Sequence, residues 1–226
     1  MILIDSVYQK VLALANKEQR GYITPQEFNL FADQAQLEIF HQYFYDLSQL
    51  SRMHQNSDEY GNIKSNLQIK IDTFERSSTI ANGATIANNI YKIGSVEYSG
   101  TPVEEIQYKD IPRMARCKKL NPVSGLGNFV YYTQGRTLKA LPSVIDILDI
   151  SYITKPAKPS WTYVVVNQKA MYDANNPSLQ NFELHPSEET ELVYRILGLA
   201  GISMKRPNLT QTAASLVQAQ IQQEKQ

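Results

Sequence analysis

The apolar residues of this chain change period twice along its length, and few folds accommodate that. Ile4, Val7, Val11 and Leu14 recur at three- and four-residue spacing, one face of a helix. Gly21 interrupts the pattern, and Thr24-Pro25-Gln26-Glu27 restarts it. Thr24 can accept from the amide of Glu27, whose carboxylate reaches back, and Pro25 takes the first helical position, where its missing donor is harmless. From Phe28 through Ala32, Ala35, Ile39, Tyr43 and Leu47 to Leu50 the apolar face runs on for about seven turns. Two such helices predict a helical hairpin that needs a further surface to cover it.

Beyond the polar stretch Asn56 to Asn62 the period becomes two. Leu67, Ile69 and Ile71 alternate with Gln68, Lys70 and Asp72, which predicts a half-buried strand. Further strands are expected at Ile90 to Tyr98, turning at Ser99-Gly100 into Val103 to Ile106, and at Phe129 to Thr133, turning at Gln134-Gly135-Arg136 into Thr137 to Leu141. Ile145 to Ile153 and Tyr163 to Val166 complete the set, joined by the extended, proline-rich segment Lys155 to Ser160. The helical period then returns. Pro186-Ser187-Glu188-Glu189 supplies a cap and an acidic first turn for a helix with Leu192, Ile196, Ala200 and Met204 on one face, Val193 and Leu197 beside them. Lys205, Arg206 and Pro207 end it, and Asn208 is placed to cap a last helix with a thin stripe, Ala213, Leu216, Val217 and Ile221. So narrow a stripe predicts a helix that is exposed, frayed, or ordered only against a partner.

The expected fold is α+β: a helical bundle built from the N- and C-terminal helices, with an inserted antiparallel β domain. The expected division is 1–62 for the N-terminal hairpin, 63–166 for the β region, and 167–226 for the C-terminal helices and docking tail.

Composition narrows the function. At 226 residues, 42% apolar and 19% charged, the chain has enough material for one good core or two small ones. No run reaches the roughly 18 apolar residues of a membrane-spanning helix. The apolar opening from Met1 to Ala15 lacks a basic start and contains Asp5, Gln9 and Lys10, so it is expected to be a helix of the mature protein and not a signal peptide. A single cysteine, Cys117, precludes an internal disulfide and suits a reducing cytoplasm. Lysine plus arginine and aspartate plus glutamate both number 22, which argues against a nucleic-acid binder held by net charge. The distribution is uneven. Residues 1–60 hold eight acids against four bases, whereas Lys109 to Lys119 holds Lys109, Arg113, Arg116, Lys118 and Lys119 against Asp110. That basic cluster is expected to be a solvated face.

Candidate chemistry is sparse. Asn16 to Glu27 places glycine, isoleucine and glutamate at positions six, eight and twelve of an EF-hand-like loop, but Arg20 stands where an oxygen ligand belongs and Asn16 where a carboxylate belongs. His41, His54 and His185 neighbour no nucleophile in a recognisable elbow. Ser124-Gly125-Leu126-Gly127-Asn128 lacks the lysine of a phosphate-binding loop and reads as a turn. Asp146 and Asp149, three apart on a strand, point to opposite faces. No catalytic site, cofactor or metal is therefore expected. Fourteen tyrosines, paired at Tyr43 with Tyr45 and Tyr131 with Tyr132, suit either an association surface or the edges of the chain's own sheet.

An ordered set of segments resembles the head-to-tail adaptor, or tail-tube A, proteins of short-tailed phages, including those of crAss-like phages. It comprises Ile93-Gly94-Ser95-Val96-Glu97-Tyr98, Val103 to Tyr108 leading to Asp110, Asn121-Pro122, Phe129 to Leu138, Leu141-Pro142, Ile150 to Ile153, Lys155-Pro156, and Phe182 to Glu189 entering a helix. The resemblance covers the chain from the first β segments to the C-terminal helices. It implies a non-enzymatic virion protein, assembled in the host cytoplasm as a homo-oligomeric ring of about twelve subunits with a head-to-tail interface. The ring would be stacked between the portal and downstream tail or ring proteins, around a channel for DNA, away from any membrane. It also implies portal docking through the C-terminal segment, which maps onto Asn208, Ala213, Leu216, Val217 and Ile221. Arg113, Arg116, Lys118 and Lys119 are the candidates for transient, nonspecific contact with passing DNA. The alternatives are another tail or collar ring component, or a minor nucleic-acid-binding module.

Overall fold

In the computed structural model, residues 1–16, 23–52, 58–116, 129–143, 145–203 and 207–224 are described. The chain divides into two compact units: residues Met1–Thr73 with Pro156–Gln226, and the inserted Phe74–Lys155. The fold is mixed α+β.

The first unit is helical. α1 (Ile4–Asn16), α2 (Pro25–Arg52) and α3 (Asp58–Asp72) come from the N-terminal side, α5 (Glu189–Ser203) and α6 (Pro207–Glu224) from the C-terminal side. The capping box forms as its residue types require: the Thr24 amide donates to Glu27 Oε2 at 3.0 Å and the Glu27 amide to Thr24 Oγ1 at 3.3 Å. The hydrogen bonds from the Thr24 hydroxyl and then its amide hold the Glu27 carboxyl below its usual range. Val7 and Val11 of α1, Phe28, Ala32 and Ile39 of α2, and Leu192, Ile196 and Ala200 of α5 are buried. Helix α5 is the element that α1, α2 and α6 all meet, so it supplies the covering surface the N-terminal helices need. Gln36 is fully buried on α2. It donates to the Ala157 carbonyl at 2.8 Å and accepts from the Glu183 amide at 3.1 Å, fixing the extended segment after Lys155 to the helix.

The segment 67–71 is not a strand. It closes α3, with Leu67 and Ile71 buried four residues apart on one face and Ile69 exposed. An alternating apolar pattern of three residues contains an i, i+4 pair, and the helix uses that pair. Lys70 also turns inward: its Nζ lies 2.6 Å from Oε1 of Glu188, a carboxylate only 1% exposed, and 5.9 Å from the ring centre of Tyr43. Glu188, read from sequence as part of an acidic first turn, belongs instead to a short 3-10 turn, Pro186–Glu188, and to this buried ion pair.

The second unit holds two sheets and a short helix, α4 (Ile111–Ala115). One sheet has the order β1-β7-β2-β3, built from β1 (Glu75–Ala81), β2 (Ile90–Tyr98), β3 (Thr101–Pro102) and β7 (Ile147–Thr154), all antiparallel. The other joins β4 (Glu104–Glu105), β5 (Val130–Gln134) and β6 (Thr137–Leu141); its β4-β5 pair is parallel and its β5-β6 pair antiparallel. Val96, Val103, Tyr131, Leu138, Ala140, Ile145, Leu148 and Ile150 form the core. The turn residues Ser99 and Gly100 both have positive φ, as a two-residue hairpin turn requires. At the β2 bulge, a Cβ on Gly94 would stand 2.9 Å from Ser151 Oγ, which donates or accepts at the Ser95 hydroxyl and accepts the Ser95 amide. Strand β1 has no counterpart in the sequence reading. Its seven residues are almost wholly exposed, and its register against β7, from Glu75 opposite Ile153 to Ala81 opposite Ile147, is held by main-chain pairing.

A further pair, β8 (Tyr163–Val166) and β9 (Lys169–Tyr172), lies in the first unit. The β region expected at 63–166 is thus found as 74–155 plus this separate hairpin. The stretch expected to be helical from 167 starts with a strand and an extended passage; helix α5 begins at Glu189.

Candidate functional site

The β8-β9 hairpin combines apolar composition with exposure. Val164, Val165, Val166 and Met171 are 52%, 64%, 45% and 56% exposed. The register sets Tyr163 opposite Tyr172, Val164 opposite Met171, Val165 opposite Ala170 and Val166 opposite Lys169. Residues directly opposite share a face and alternate residues face oppositely. One face therefore carries Val164, Val166, Met171 and Lys169, the other Tyr163, Tyr172, Val165 and Ala170.

The second face is seated at its base on Trp161. Tyr163 and Tyr172 stack on the indole with centroids 5.7 and 5.9 Å away and planes within 21° and 24°. Trp161 is in turn fixed by its neighbours in the helical unit. Its indole N–H donates to Asp5 Oδ1 at 2.9 Å, its amide to Asn29 Oδ1 at 2.8 Å, and its carbonyl accepts from Asn29 Nδ2 at 3.2 Å. The Asp173 amide donates to the Thr162 carbonyl and the Thr162 hydroxyl to the Asp173 carbonyl, closing the base. At the tip, Asn167 and Gln168 have φ of 48° and 62°, the two-residue turn that matches strand twist. A two-stranded hairpin is marginal on its own. This one is anchored below and bare above, as a contact element of an assembly would be.

The residues expected to dock a portal lie on α6. That helix is formed and packed on α5, with Ala213 buried at Gly198, where an added Cβ would sit 3.7 Å from the alanine methyl. The expectation is a helix exposed, frayed, or ordered only against a partner: α6 is formed and mostly exposed, and Ala213 is its one buried residue among those whose side chains are described. Ala213 is spent on that contact, Val217 and Ile221 are half-buried, and Leu216 is exposed. Asn208 does not precede the helix as a cap; the helix begins at Pro207. Its side chain lies outside the described set.

Of the basic cluster, Arg113 in α4 and Arg116 just after it are exposed, while Cys117, Lys118 and Lys119 lie outside the described residues. So do 17–22 of the EF-hand-like loop, His54, the glycine-rich 124–128, and Met204 to Arg206. Glu27 is occupied by the capping box. His185 Nδ1 accepts from the Ser187 amide at the turn before α5, and His41 lies on α2 with its ring 5.6 Å from that of Phe40. Among the described residues, no three of His, Cys, Asp or Glu are grouped to hold a metal ion.

The tyrosines separate by role. Tyr43, Tyr131 and Tyr132 are buried and Tyr45 is exposed. Burial first, then the charge of Glu105 and the hydrogen bond to it, push the Tyr131 phenol up to about 12. The sequence pattern predicts β8 but not β9, and so not the hairpin. The signal was Asn167, a residue at ease with positive φ, between an apolar run and Ala170-Met171-Tyr172. Among the described residues, no helix is long and apolar enough to cross a membrane. Compared with protein-family models and with curated proteins, the chain finds no match.

Proposed function

We propose that this chain is a structural, non-enzymatic subunit of a ring in the neck of a tailed phage, an adaptor between portal and tail with a central channel for DNA. The observation that carries the assembly role is the β8-β9 hairpin, whose valines and Met171 stand in solvent on a base held by Trp161. Ordering apolar side chains without cover gains little, whereas burying them against a neighbour recovers roughly 25 cal/mol per Å². The adaptor position rests on the ordered resemblance of the segments from Ile93 to Glu189.

In this reading the hairpin serves contacts between subunits, and Leu216, Val217 and Ile221 of α6 serve the portal. Ala213 acts indirectly by holding α6 on α5. Of the four candidate contacts for passing DNA, Arg113 and Arg116 are described and exposed. A channel that must release DNA benefits from few phosphate contacts, because each one adds affinity.

Electron microscopy of virions that contain this chain is the direct test. Density for the chain is expected as a closed ring on the portal–tail axis, next to the portal. Finding it elsewhere in the particle, or absent from the particle, overturns the adaptor reading.

A further inference from the structure

A second surface, in the β unit, carries charge where the hairpin carries apolar area. A cleft of about 410 Å³ opens between residues 86–93, the β5-β6 turn and the end of β7. Its lining includes Lys92, Arg136 and Lys155, against one acid, Glu105. The Glu105 carboxylate is hydrogen-bonded to the Tyr131 hydroxyl. Each of the three cations is exposed, and none makes an ion pair with a described residue.

The backbone around the cleft is built rather than loose. Arg136 Nη2 donates to the carbonyls of Ile86 and Ala87 at 3.1 and 2.7 Å, which fixes the guanidinium and leaves Nε and Nη1 without an acceptor among the described residues. The Ile86 amide donates to the Arg136 carbonyl at 2.7 Å, and the Lys155 amide to the Asn89 carbonyl at 2.8 Å. Lys92 is paired in register with Ile153, two residues before Lys155. Three strand ends thus deliver three positive charges to one place.

Like charges gathered in a cleft repel each other, and this chain has as many acids as bases with which to pair them. The β unit nonetheless holds ten bases against seven acids over residues 74–155. A pre-positioned guanidinium edge flanked by two ammonium groups fits the several oxygens of a phosphate group, with the arginine fork giving geometry and the lysines charge. The volume lies in the range of small-ligand sites.

We propose that this cleft is a phosphate-binding site, with Arg136 as the orienting donor and Lys92 and Lys155 as the neutralising charges. The shared chemistry is a phosphate-bearing anion, either a free oligophosphate or nucleotide, or the backbone of a polynucleotide. The site needs only one chain and does not depend on the ring reading.

The full-length chain is titrated with tripolyphosphate by calorimetry at low ionic strength, where exposed charges are least screened. Saturable binding is expected, and the exposed double substitution Lys92→Gln with Lys155→Gln is expected to weaken it by about tenfold or more. Lys109→Gln, exposed but outside the cleft, is the control and is expected to leave binding unchanged, with circular dichroism confirming that each variant folds. No saturable binding, unchanged affinity in the double variant, or an equal loss in Lys109→Gln overturns the site. Competition with duplex and single-stranded oligonucleotides then assigns the source: displacement of tripolyphosphate supports the site with a polynucleotide backbone as its ligand, and retention supports it with a free phosphate.

Discussion

The β5-β6 and β8-β9 hairpins have five and four cross-strand pairs, two-residue turns and mostly apolar strands, yet they dispose of their side chains in opposite ways. In β5-β6, Val130, Tyr131, Leu138 and Ala140 are buried, and β4 pairs alongside β5 as a third strand. In β8-β9 the valines lie in solvent and the sheet stops at two strands. Composition alone therefore does not mark a core. The first hairpin stabilises its own unit; the second is stabilised by its base and leaves the remainder exposed, the surface that the proposed assembly role would cover.

The largest effects are expected where each hairpin is anchored. Leu138→Ala leaves a cavity under β6 and should cost roughly 2–5 kcal/mol of β-unit stability, and Trp161→Ala should cost roughly 3–5 kcal/mol in the helical unit by removing the platform under Tyr163 and Tyr172. Hydrogen exchange of the amides in each hairpin reads the two losses separately. If Trp161→Ala leaves β8-β9 protection intact, the hairpin is not anchored as described.

A pH titration sharpens the contrast through Tyr131. Its phenol ionises near 10 in the unfolded chain and at about 12 in the folded one. The unfolded state releases the proton first, so this contribution is complete below pH 10 and is lost as pH rises from 10 to 12. Denaturant midpoints of the β unit should fall across that window, and Tyr131→Phe should flatten the fall. An unchanged slope in Tyr131→Phe would remove the upward shift of this phenol, caused by burial first and Glu105 second, from the account.

How far these hairpins were legible in sequence follows the same division. Strand β2 and strand β6 occur with the bounds that alternation and turn residues imply, and Thr24 to Glu27 gave the start of α2, because those signals are local. Strand β1 carries no apolar alternation, since its pairing with β7 is main-chain and of its side chains only Ile80 packs toward the core. The 67–71 segment misled because Leu67, Ile69 and Ile71 alternate as in a strand while Leu67 and Ile71 also form an i, i+4 helical pair, and the burial of that pair with Ile69 exposed, together with the inward Lys70-Glu188 pair, decides for helix. The phosphate cleft was invisible for a different reason: Lys92, Arg136 and Lys155 are far apart in the chain, and the strand register alone gathers them.

The tip of β8-β9 offers a smaller effect. Gln168 holds φ of 62°, a region in which a Cβ costs roughly 1–2 kcal/mol, whereas β5-β6 places Gly135, φ 62°, in its own turn. Gln168→Gly should recover up to about 1 kcal/mol of local stability, partly offset by the added freedom of the unfolded chain. Exchange protection of the Val166 and Lys169 amides is the measurement, and a drop in protection would show that the glutamine side chain contributes more than its backbone costs.

The smallest effect on folding should accompany a large one on association. Val164→Thr with Val166→Thr keeps branched side chains suited to a strand and removes apolar surface that is about half exposed, 52% and 45%, so stability should stay within about 0.5 kcal/mol per site. Association should weaken, because a contact between subunits would have to bury those hydroxyls without partners. Sedimentation velocity of the purified chain against the double variant separates the two readouts. Equal association in both would remove the exposed face as the assembly contact and leave the two hairpins differing only in how much solvent each tolerates. A large loss of stability with no change in association would reverse the comparison, making β8-β9 a second structural hairpin whose cover lies within its own chain.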